Sequence, residues 1–332
     1  MATKITLRSA LLASLAASSL VLAGCSTAEE ENTTASSGTS VEVEDNHGAV
    51  EVPQDPKAVA STDNRSFEIL RDWGVDLVAA PLPLVPRSVP EYRDNKDIKD
   101  MGTHREPNLE ELVAAQPDLI INGQRFESHY EDIKKLNPDA AVVDFTPRED
   151  MPLDEELRRQ TEALGEIFGK DAEADALIAD FDKALERAKK AYDGESKVMA
   201  VNVSGGNIGY VAPSKGRFWG PIFDWLNLKP ALEVPESSNS HTGDDISVEA
   251  IADSNPAWML VLDRDAATSD ADKPEYEAAK NIIDKNDALK NVPAIKDKHT
   301  VFAPEDSYVN ENIITYTEIL NSIADSFEAG KK

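Results

Sequence analysis

Apolar residues recur at helical spacing through the middle of the chain, between Leu153 and Tyr192. Charged residues fill most of the positions between them, so one face is apolar and the opposite face is solvated. Gly169 and Asp171 interrupt this pattern and are typical of the end of one helix and the N-cap of the next. The pattern therefore predicts two helices. The second, from Asp171 to about Ala191, is expected to be roughly 30 Å long.

Short apolar runs bounded by turn residues alternate with helical patterns on both sides of this central segment. Before it, we predict strands at residues 58–61, 75–80, 119–122 and 141–145, and helices at residues 67–73, 108–115 and 127–136. After it, we predict strands at residues 197–203, 208–211, 258–262 and 300–302, and helices at residues 218–226, 276–284 and 312–327. The segment at residues 81–90 holds four prolines and is predicted to be irregular.

The alternation of strands and helices predicts the fold class. Strands that are separated by helices form mostly parallel sheets, so we expect an α/β fold with one such sheet in each half of the chain. Ligands of these folds bind at the carboxyl ends of the strands, in the crevice between the domains. Residues 41–52 instead predict a β-hairpin, with His47 as a residue of its turn.

A sequence motif occurs once on each side of the central helices. Residues 108–121 read NLEELVAAQPDLII and residues 247–260 read SVEAIADSNPAWML. Each copy predicts a capped helix, a proline stop and a buried strand, so we expect two domains that are built alike and face each other. Glu110 and Glu249 occupy the same place in the two copies, and the dipole of each helix explains an acidic residue there without any partner.

The first 24 residues have the pattern of a bacterial signal peptide. A region with two basic side chains precedes an apolar run at residues 10–23, which is too short to span a bilayer. The run ends in Leu-Ala-Gly-Cys, which resembles the lipobox where the signal peptide is cleaved and Cys25 is lipidated. The alternative is an ordinary secretory signal. Residues 25–40 are then the lipidated N-terminus and a flexible tether rich in Ser, Thr, Glu and Ala.

Composition excludes some classes of partner and chemistry. The formal net charge of −28 disfavours nucleic acid or anionic lipid as the main partner, although a local basic pocket is compatible with it. The single cysteine excludes an intramolecular disulfide. The glycine-rich residues 204–209 lack the Lys-Ser/Thr of a P-loop, and neither GxSxG nor HExxH occurs. His241 with Asp244 and Asp245 leaves a divalent-metal site open, and a tethered adhesion module is a further alternative.

Taken together, these features resemble the substrate-binding lipoproteins of iron-siderophore and vitamin B12 ABC importers. The resemblance covers nearly all of the mature chain. It includes the lipobox, the GTHREPNLE run at residues 102–110, the repeat and the central helices. Within that family the chain is most similar to ferric-catecholate binders, through INGQRF at residues 121–126, KGRFW at residues 215–219 and VLDRD at residues 261–265.

The resemblance implies a division into domains. Two Rossmann-like α/β lobes with mostly parallel sheets, residues 41–152 and 193–332, are joined by a long rigid helix within residues 153–192. A rigid connection implies small movements of the lobes rather than wide closure. No ligand-binding residue is expected from the connecting helices themselves.

The resemblance also implies that Arg125, Arg217 and Arg264 converge on the ligand from both lobes. A ferric tris-catecholate is trianionic, and guanidinium groups stay cationic and offer forked donors to phenolate oxygens. Taken singly, each arginine is better explained as a solvated side chain or an ion-pair partner, but the three together, at strand ends and before a helix, favour a pocket. The aromatic rings of Tyr210 and Trp219 flank these arginines and could stack on catechol rings, with core packing as the alternative.

Some relatives complete the iron shell with protein side chains when the ligand supplies only four donor atoms. The pattern matches at His241 and Tyr308, whose neutral imidazole and phenolate suit ferric iron. A loop histidine and a packing tyrosine are the alternatives. Glu311 lies three residues after Tyr308, in a segment where relatives often carry small residues. A glutamate beside an anionic ligand is unfavourable unless its side chain points away from that ligand. Arg105 and Arg65 are weaker candidates from neighbouring loops.

The function implied by the resemblance is capture of a ferric siderophore, of anionic catecholate type, and its delivery to an ABC permease. The protein would be a lipid-anchored monomer on the extracytoplasmic face, as on a Gram-positive cell surface. It would perform no covalent chemistry and need no intrinsic cofactor. Glu110 and Glu249 then become candidate contacts with the permease, one per lobe. The alternatives are binding of haem, cobalamin or a divalent metal by the same fold, and a metal-dependent hydrolase.

Overall fold

Two five-stranded sheets carry the fold, one before and one after the central helices. The computed structural model describes residues 39–331. The predicted signal peptide, Cys25 and nearly all of the tether lie outside the described residues. In residues 39–331, no helix combines the length and apolar character that a membrane span requires.

The strands are β1 (Ser40–Asp45), β2 (Gly48–Pro53), β3 (Val59–Ser61), β4 (Leu77–Ala80), β5 (Lys99–Asp100), β6 (Gly102–Thr103), β7 (Glu106–Pro107), β8 (Leu119–Asn122), β9 (Ala141–Asp144), β10 (Lys197–Ser204), β11 (Asn207–Tyr210), β12 (Lys229–Pro230), β13 (Trp258–Asp263) and β14 (Thr300–Phe302). The α-helices are α1 (Phe67–Asp72), α2 (Pro90–Arg93), α3 (Leu109–Ala115), α4 (Tyr130–Leu136), α5 (Leu153–Phe168), α6 (Asp171–Ala191), α7 (Gly220–Leu226), α8 (Val248–Asp253), α9 (Ala279–Lys285), α10 (Pro293–Lys296) and α11 (Ile313–Gly330). Short 3₁₀ helices occur at Leu82–Leu84, Gln124–His129, Asp265–Ala267 and Ser269–Asp272.

The two sheets are mostly parallel. The N-terminal sheet has the order β5-β4-β3-β8-β9, and its strand pairs are all parallel. The C-terminal sheet has the order β11-β10-β13-β14, with β12 also paired to β10, and β11 is antiparallel to β10. β8 and β13 lie inside their sheets and are almost completely buried, which is why both read as continuous apolar runs. The predicted α/β fold is confirmed.

The two copies of the repeated motif adopt the same local structure. The side chain of Asn108 caps α3 by accepting from the backbone N–H of Glu111, and Ser247 caps α8 in the same way. Each helix is followed by a residue in the left-handed region, Gln116 with φ 48° and Asn255 with φ 53°. A proline then prevents the helix from continuing, and the chain enters an interior strand of its sheet.

The central helices form an antiparallel hairpin. Gly169, with φ 60°, ends α5, and α6 begins two residues later. A Cβ on Gly165 of α5 would lie 2.8 Å from the Cβ of Ala174 on α6, so the two helices touch where this glycine has no side chain. Further along, Arg158 of α5 binds Asp182 of α6 at 2.6 Å. The joint between the two halves is therefore a pair of helices packed side by side, of which α6 is the long one.

Each helix of the hairpin packs mainly against one half of the protein. α5 contacts β1, and the Gln160 side chain donates to Asp63 in the loop after β3. α6 packs against α11 and α7 through apolar residues that include Phe181 and Leu185. Asp171, predicted as the N-cap of α6, is instead its first residue, and Lys170 occupies the capping position.

Three other segments differ in detail from the predictions. The proline-rich segment contains a short 3₁₀ helix, and Pro90 starts α2, because proline fits the first turn of a helix where no N–H donor is needed. The helix predicted at residues 127–136 begins as a 3₁₀ helix at Gln124 and becomes α-helical at Tyr130. The helix predicted at residues 276–284 starts later, at Ala279. His47 lies in the β1–β2 turn, as predicted.

We expect Gly165→Leu to lower the free energy of unfolding by about 2 kcal/mol, because a large side chain there forces α5 and α6 apart. Urea denaturation followed by circular dichroism measures the change. Glu162→Leu, at an exposed position of the same helix, is the control and should change stability by less than about 0.5 kcal/mol. Equal stabilities of the two variants would contradict close packing at Gly165.

Candidate functional site

Three guanidinium groups surround one tyrosine ring. The Cζ atoms of Arg217, Arg264 and Arg125 lie 4.7, 4.9 and 6.0 Å from the centroid of the Tyr308 ring. The ring is 6% exposed and lies in the loop between β14 and α11. Cations over an aromatic face are attracted to its π electrons, so Tyr308 holds together charges that would otherwise repel one another. The structure thus brings together the three arginines that the sequence singled out.

The repeat explains how two of these arginines come to face each other. Arg125 follows β8 and Arg264 follows β13, and they are separated by 139 residues (264 − 125), the same spacing as Glu110 and Glu249 (249 − 110). Each arginine therefore occupies the same place in the repeat, shortly after an interior strand. Gly123 helps to place Arg125, because a side chain there would collide with Asp63 in the loop after β3.

Arg217 is placed by an aromatic cluster in the core. The next residue, Phe218, adopts a left-handed conformation with φ 70°, which turns the chain before α7. Its ring stacks on Tyr316 of α11 at a centroid distance of 5.2 Å and meets Trp219 edge-on at 4.8 Å. The Tyr316 hydroxyl donates to the backbone carbonyl of Phe218 at 3.4 Å. A strained turn is thereby fixed by packing, and Arg217 is held at the edge of the cleft.

The two predicted stacking residues are not on the cleft surface. Trp219 is 0% exposed, and Tyr210 is 1% exposed with its hydroxyl donating to the backbone carbonyl of Leu232 at 2.8 Å. Both rings lie in the hydrophobic core. Catechol rings cannot stack on them without opening that core, so neither ring is accessible to a ligand in the cleft.

Carboxylates neutralise part of the positive charge. Nε of Arg217 donates to Oε1 of Glu311 at 2.6 Å, and Nη2 of Arg65 donates to Oε2 of the same carboxylate at 2.9 Å. Nη1 of Arg264 lies 3.1 Å from Oδ1 of Asp265. Burial lowers the pKa of Arg125, and the neighbouring Arg217 lowers it further. Burial alone would also lower the pKa of Arg217, but Glu311, together with Tyr308 and Tyr316, raises it overall.

His241 lies beside this cluster on an exposed loop. The centroid of its ring is 6.5 Å from that of Tyr308. Burial lowers the pKa of His241, and the nearby Arg264 and Arg217 lower it further, which favours the neutral imidazole. Asp244 does not point towards this imidazole, since its carboxylate accepts from the backbone N–H and hydroxyl of Ser238.

A preformed divalent-metal site is not found in the described part of the chain. In residues 39–331, no three His, Cys, Asp or Glu side chains are grouped so that they could hold a metal ion. The histidine–aspartate arrangement that the sequence left open is therefore not assembled. The structure gives no support to a resident divalent-metal centre at His241.

The base of the cleft is nearly filled. Its central cavity has a volume of about 10 Å³, between Arg125, Arg65, Arg217, Tyr308 and Glu311. This is about the space that one water molecule needs. A larger ligand therefore has to bind over the arginines and Tyr308, on the open side of the cleft, or the two halves have to separate.

Hydrogen bonds join the loops of the two halves next to the cleft. Arg87 binds Asp272 through both terminal nitrogens, at 3.1 and 2.6 Å. Glu68 of α1 accepts from the side chains of Asn310 and Asn312, at 2.7 and 3.0 Å. The first contact links the segment after β4 to the segment after β13, and the second links α1 to the segment that carries Tyr308.

Three residues of the cleft were missed or undervalued from sequence. Arg65 was a weaker candidate, although its place after β3 is also a strand end, and Glu311 was considered only as an obstacle to an anionic ligand. Asp63 was not considered. It lines the cleft, burial raises its pKa, and Gln160 of α5 donates to it. The central helices thus contact the floor of the cleft even though no predicted site residue lies on them.

The remaining predicted residues lie away from the Tyr308 cluster or at its margin. Glu110 and Glu249 are exposed in the first turns of α3 and α8. The carboxylate of Glu111, next to Glu110, lies 3.5 Å from Nζ of Lys99. Arg105 is exposed and contributes to the lowered pKa of His241.

Curated relatives match most of the chain. Petrobactin-binding protein YclQ of Bacillus subtilis is 27% identical over 282 residues, which are 83% of this chain and 84% of the relative. Ferric-anguibactin-binding protein FatB of Vibrio anguillarum is 27% identical over 286 residues, which are 85% of each chain. The similarity therefore extends over both sheets and the central helices.

Solved structures show the same fold. The crystal structure of YclQ matches with a TM-score of 0.73 at 23% identity, over 87% of this chain and 99% of that one. The catecholate-siderophore binding protein VctP of Vibrio cholerae matches with a TM-score of 0.72 at 23% identity, over 88% of this chain and 100% of that one. Both matches concern the arrangement of sheets and helices.

A family model also matches, under the description periplasmic binding protein, and it covers residues 59–307, more than half of the chain. The matched region runs from β3 to the residue before Tyr308, so it contains both sheets and all three arginines of the cleft. The chain therefore belongs to the periplasmic binding protein family.

Proposed function

We propose that this protein captures an anionic ferric siderophore outside the cytoplasm and delivers it to an ABC importer. The observation that carries this proposal is the cluster of Arg125, Arg217 and Arg264 around Tyr308, with cations contributed from both sheets. The relatives YclQ and FatB, which bind petrobactin and ferric anguibactin by name, support the same class of ligand.

The chemistry of the cluster fits a ferric catecholate. Such a complex carries negative charge on phenolate oxygens around the iron, and guanidinium groups bind these oxygens through charge-assisted hydrogen bonds. Binding breaks no covalent bond of the ligand, so the protein acts as a carrier rather than an enzyme. The two lobes of the carrier are residues 41–152 and 193–332, and residues 153–192 connect them.

His241 and Tyr308 are proposed as direct iron ligands for siderophores that supply only four donor atoms. Their ring centroids are 6.5 Å apart, and a ferric ion held between them by such a siderophore would have two open coordination positions. The lowered pKa of His241 keeps the nitrogen lone pair available for iron. The iron is cargo that arrives with the siderophore, and no other cofactor is proposed.

The proposed cellular context follows from the N-terminal sequence. Lipidation of Cys25 and the tether to residue 40 would anchor the protein, as a monomer, to the outer face of the cell membrane. The exposed Glu110 and Glu249, at equivalent places in the two halves, would then each bind a basic residue of the permease.

The first test is a titration of tryptophan fluorescence with ferric tris-catecholate, ferric hydroxamate, haem and cobalamin. We expect quenching by the ferric catecholate at micromolar concentration or below. Arg125→Gln should weaken the affinity for the ferric catecholate roughly 10- to 100-fold, because one charge-assisted contact is lost. Arg187→Gln, on α6 where Arg187 pairs with Asp325 and Glu328, is the control and should bind normally. Absence of quenching by every ferric complex would refute the proposal.

The second test concerns iron ligation. His241→Ala should weaken binding of a tetradentate ferric ligand at least tenfold more than that of a hexadentate one, because only the former leaves iron positions open. His47→Ala, in the β1–β2 turn, is the control. Equal losses of affinity for both ligands would show that His241 contacts the siderophore but does not bind the iron.

The same pair of ligands gives a dependence on pH. A proton competes with iron for the imidazole only below the pKa of His241, which is lowered from the ordinary 6.5. Affinity for the tetradentate complex should therefore stay constant as the pH falls through 6.5 and decline only at lower values. A decline of this affinity centred at pH 6.5 in calorimetric titrations would show that burial and the nearby arginines do not lower the pKa of His241.

The third test concerns the permease. The double charge reversal Glu110→Lys and Glu249→Lys should abolish uptake of radioactive iron by cells while the purified protein keeps its ligand affinity. The matched control is the double reversal Glu162→Lys and Glu166→Lys, at exposed positions of α5. Normal uptake by the first double variant would reject the docking role.

A further inference from the structure

We infer that Glu311 sets the ligand charge that the cleft prefers, by shifting its selectivity away from trianionic ferric complexes and towards less highly charged ones. The inference rests on the proposed function and adds a determinant of specificity to it. It follows from the position of the buried Glu311 carboxylate between two arginines of opposite halves. We call these three side chains the ion triad Arg65–Glu311–Arg217.

The ion triad uses every oxygen of the Glu311 carboxylate. Glu311 is 6% exposed, and its two oxygens accept from Nε of Arg217 at 2.6 Å and from Nη2 of Arg65 at 2.9 Å. Arg65 is 7% exposed, and its Nη1 reaches only Gln124, at 3.5 Å. The Nε of Arg65 has no hydrogen-bond partner among residues 39–331. Among residues 39–331, Glu311 is the carboxylate that forms an ion pair with Arg65, while Asp63 acts on it only from a longer distance.

This ion pair keeps Glu311 in place when a ligand binds. Displacing the carboxylate would leave Arg65 buried without a counter-ion, which is strongly unfavourable. Glu311 thus stays on the Nε edge of Arg217, and the terminal nitrogens of Arg217 are left for the ligand. One of them, Nη2, lies 3.4 Å from the backbone oxygen of Tyr308. Glu311 is in this sense a positioning residue for Arg217.

The fixed carboxylate also lowers the positive charge that a ligand meets. Arg264 is paired with Asp265 and Arg217 with Glu311, whereas Arg125 makes no ion pair within residues 39–331. Coulomb repulsion by Glu311 grows in proportion to the negative charge of the ligand. It therefore penalises a ferric tris-catecholate, which is trianionic, more than a ferric bis-catecholate, which is monoanionic and leaves two iron positions for His241 and Tyr308.

The experiment compares dissociation constants of two probes, the ferric complexes of a hexadentate tris-catecholamide and a tetradentate bis-catecholamide. Glu311→Gln should raise the affinity ratio of trianion to monoanion roughly tenfold, for charges about 10 Å apart in a half-exposed cleft. Asp272→Asn is the matched control. It also removes one negative charge and one ion pair between the halves, but Asp272 pairs with Arg87 on the exposed rim, so the ratio should stay within about twofold.

A second variant guards against loss of folding. Arg65→Gln combined with Glu311→Gln removes both buried charges and leaves the net charge of the cleft unchanged, so its affinity ratio should return to the wild-type value. If Glu311→Gln lowers both affinities equally, or if the double variant keeps the altered ratio, Glu311 is only a structural residue and the inference is overturned.

A measurement without ligand separates the inference from the proposed function. Glu311→Gln should lower the Tm of the free protein by about 5 °C or more, because Arg65 is left buried and unpaired, and Asp272→Asn by no more than about 2 °C. An unchanged Tm for Glu311→Gln would show that the ion triad is not formed and would overturn the inference alone. Failure of the wild-type protein to bind either probe would refute the proposed function, and charge selection with it.

Discussion

The arrangement of the cleft depends on the ion triad, which lies where the two halves meet and whose carboxylate is buried. Glu311 accepts from Arg65, which follows a strand of the N-terminal sheet, and from Arg217, which precedes a helix of the C-terminal half. Burial makes such charges unfavourable unless every one is paired, so the carboxylate and both cations constrain one another. The loop that carries Glu311 also carries Tyr308, and the arginine cluster is therefore positioned by one of the contacts that join the halves.

The cationic cleft belongs to a protein with a formal net charge of −28. An anionic ligand is repelled by most of this surface, and a cleft lined by Arg125, Arg217 and Arg264 offers it a local region of opposite sign. Two interactions reduce the repulsion within this arginine cluster. The Tyr308 ring lies among the guanidinium groups, and carboxylates offset part of their charge. Burial and the neighbouring Arg217 lower the pKa of Arg125, and a bound anion would stabilise its positive charge.

The joint between the halves limits how they can move. α5 and α6 pack closely at Gly165 and are tied together again by Arg158 and Asp182. α5 holds the floor of the cleft through Gln160 and Asp63, and α6 packs on the helices of the C-terminal half. With the ion triad and the Arg87–Asp272 pair added on the cleft side, the two halves are restrained on more than one side. Small relative displacements agree with this arrangement better than wide opening.

The sequence by itself determined the local features of this protein, and the tertiary structure decided which side chains share the cleft. Helical periodicity, the caps at Asn108 and Ser247 and the proline stops depend on neighbours within a few residues, so strands, helices and the repeat could be predicted. The resemblance to ferric-catecholate binders made Arg125, Arg217 and Arg264 candidates, and their positions after predicted strands or before a predicted helix favoured a shared pocket. The contacts of Glu311 join residues 94 and 246 positions apart, and no local pattern encodes them. For the same reason the burial of Tyr210 and Trp219, and the folding of α5 back on α6, became visible only when the whole chain was packed.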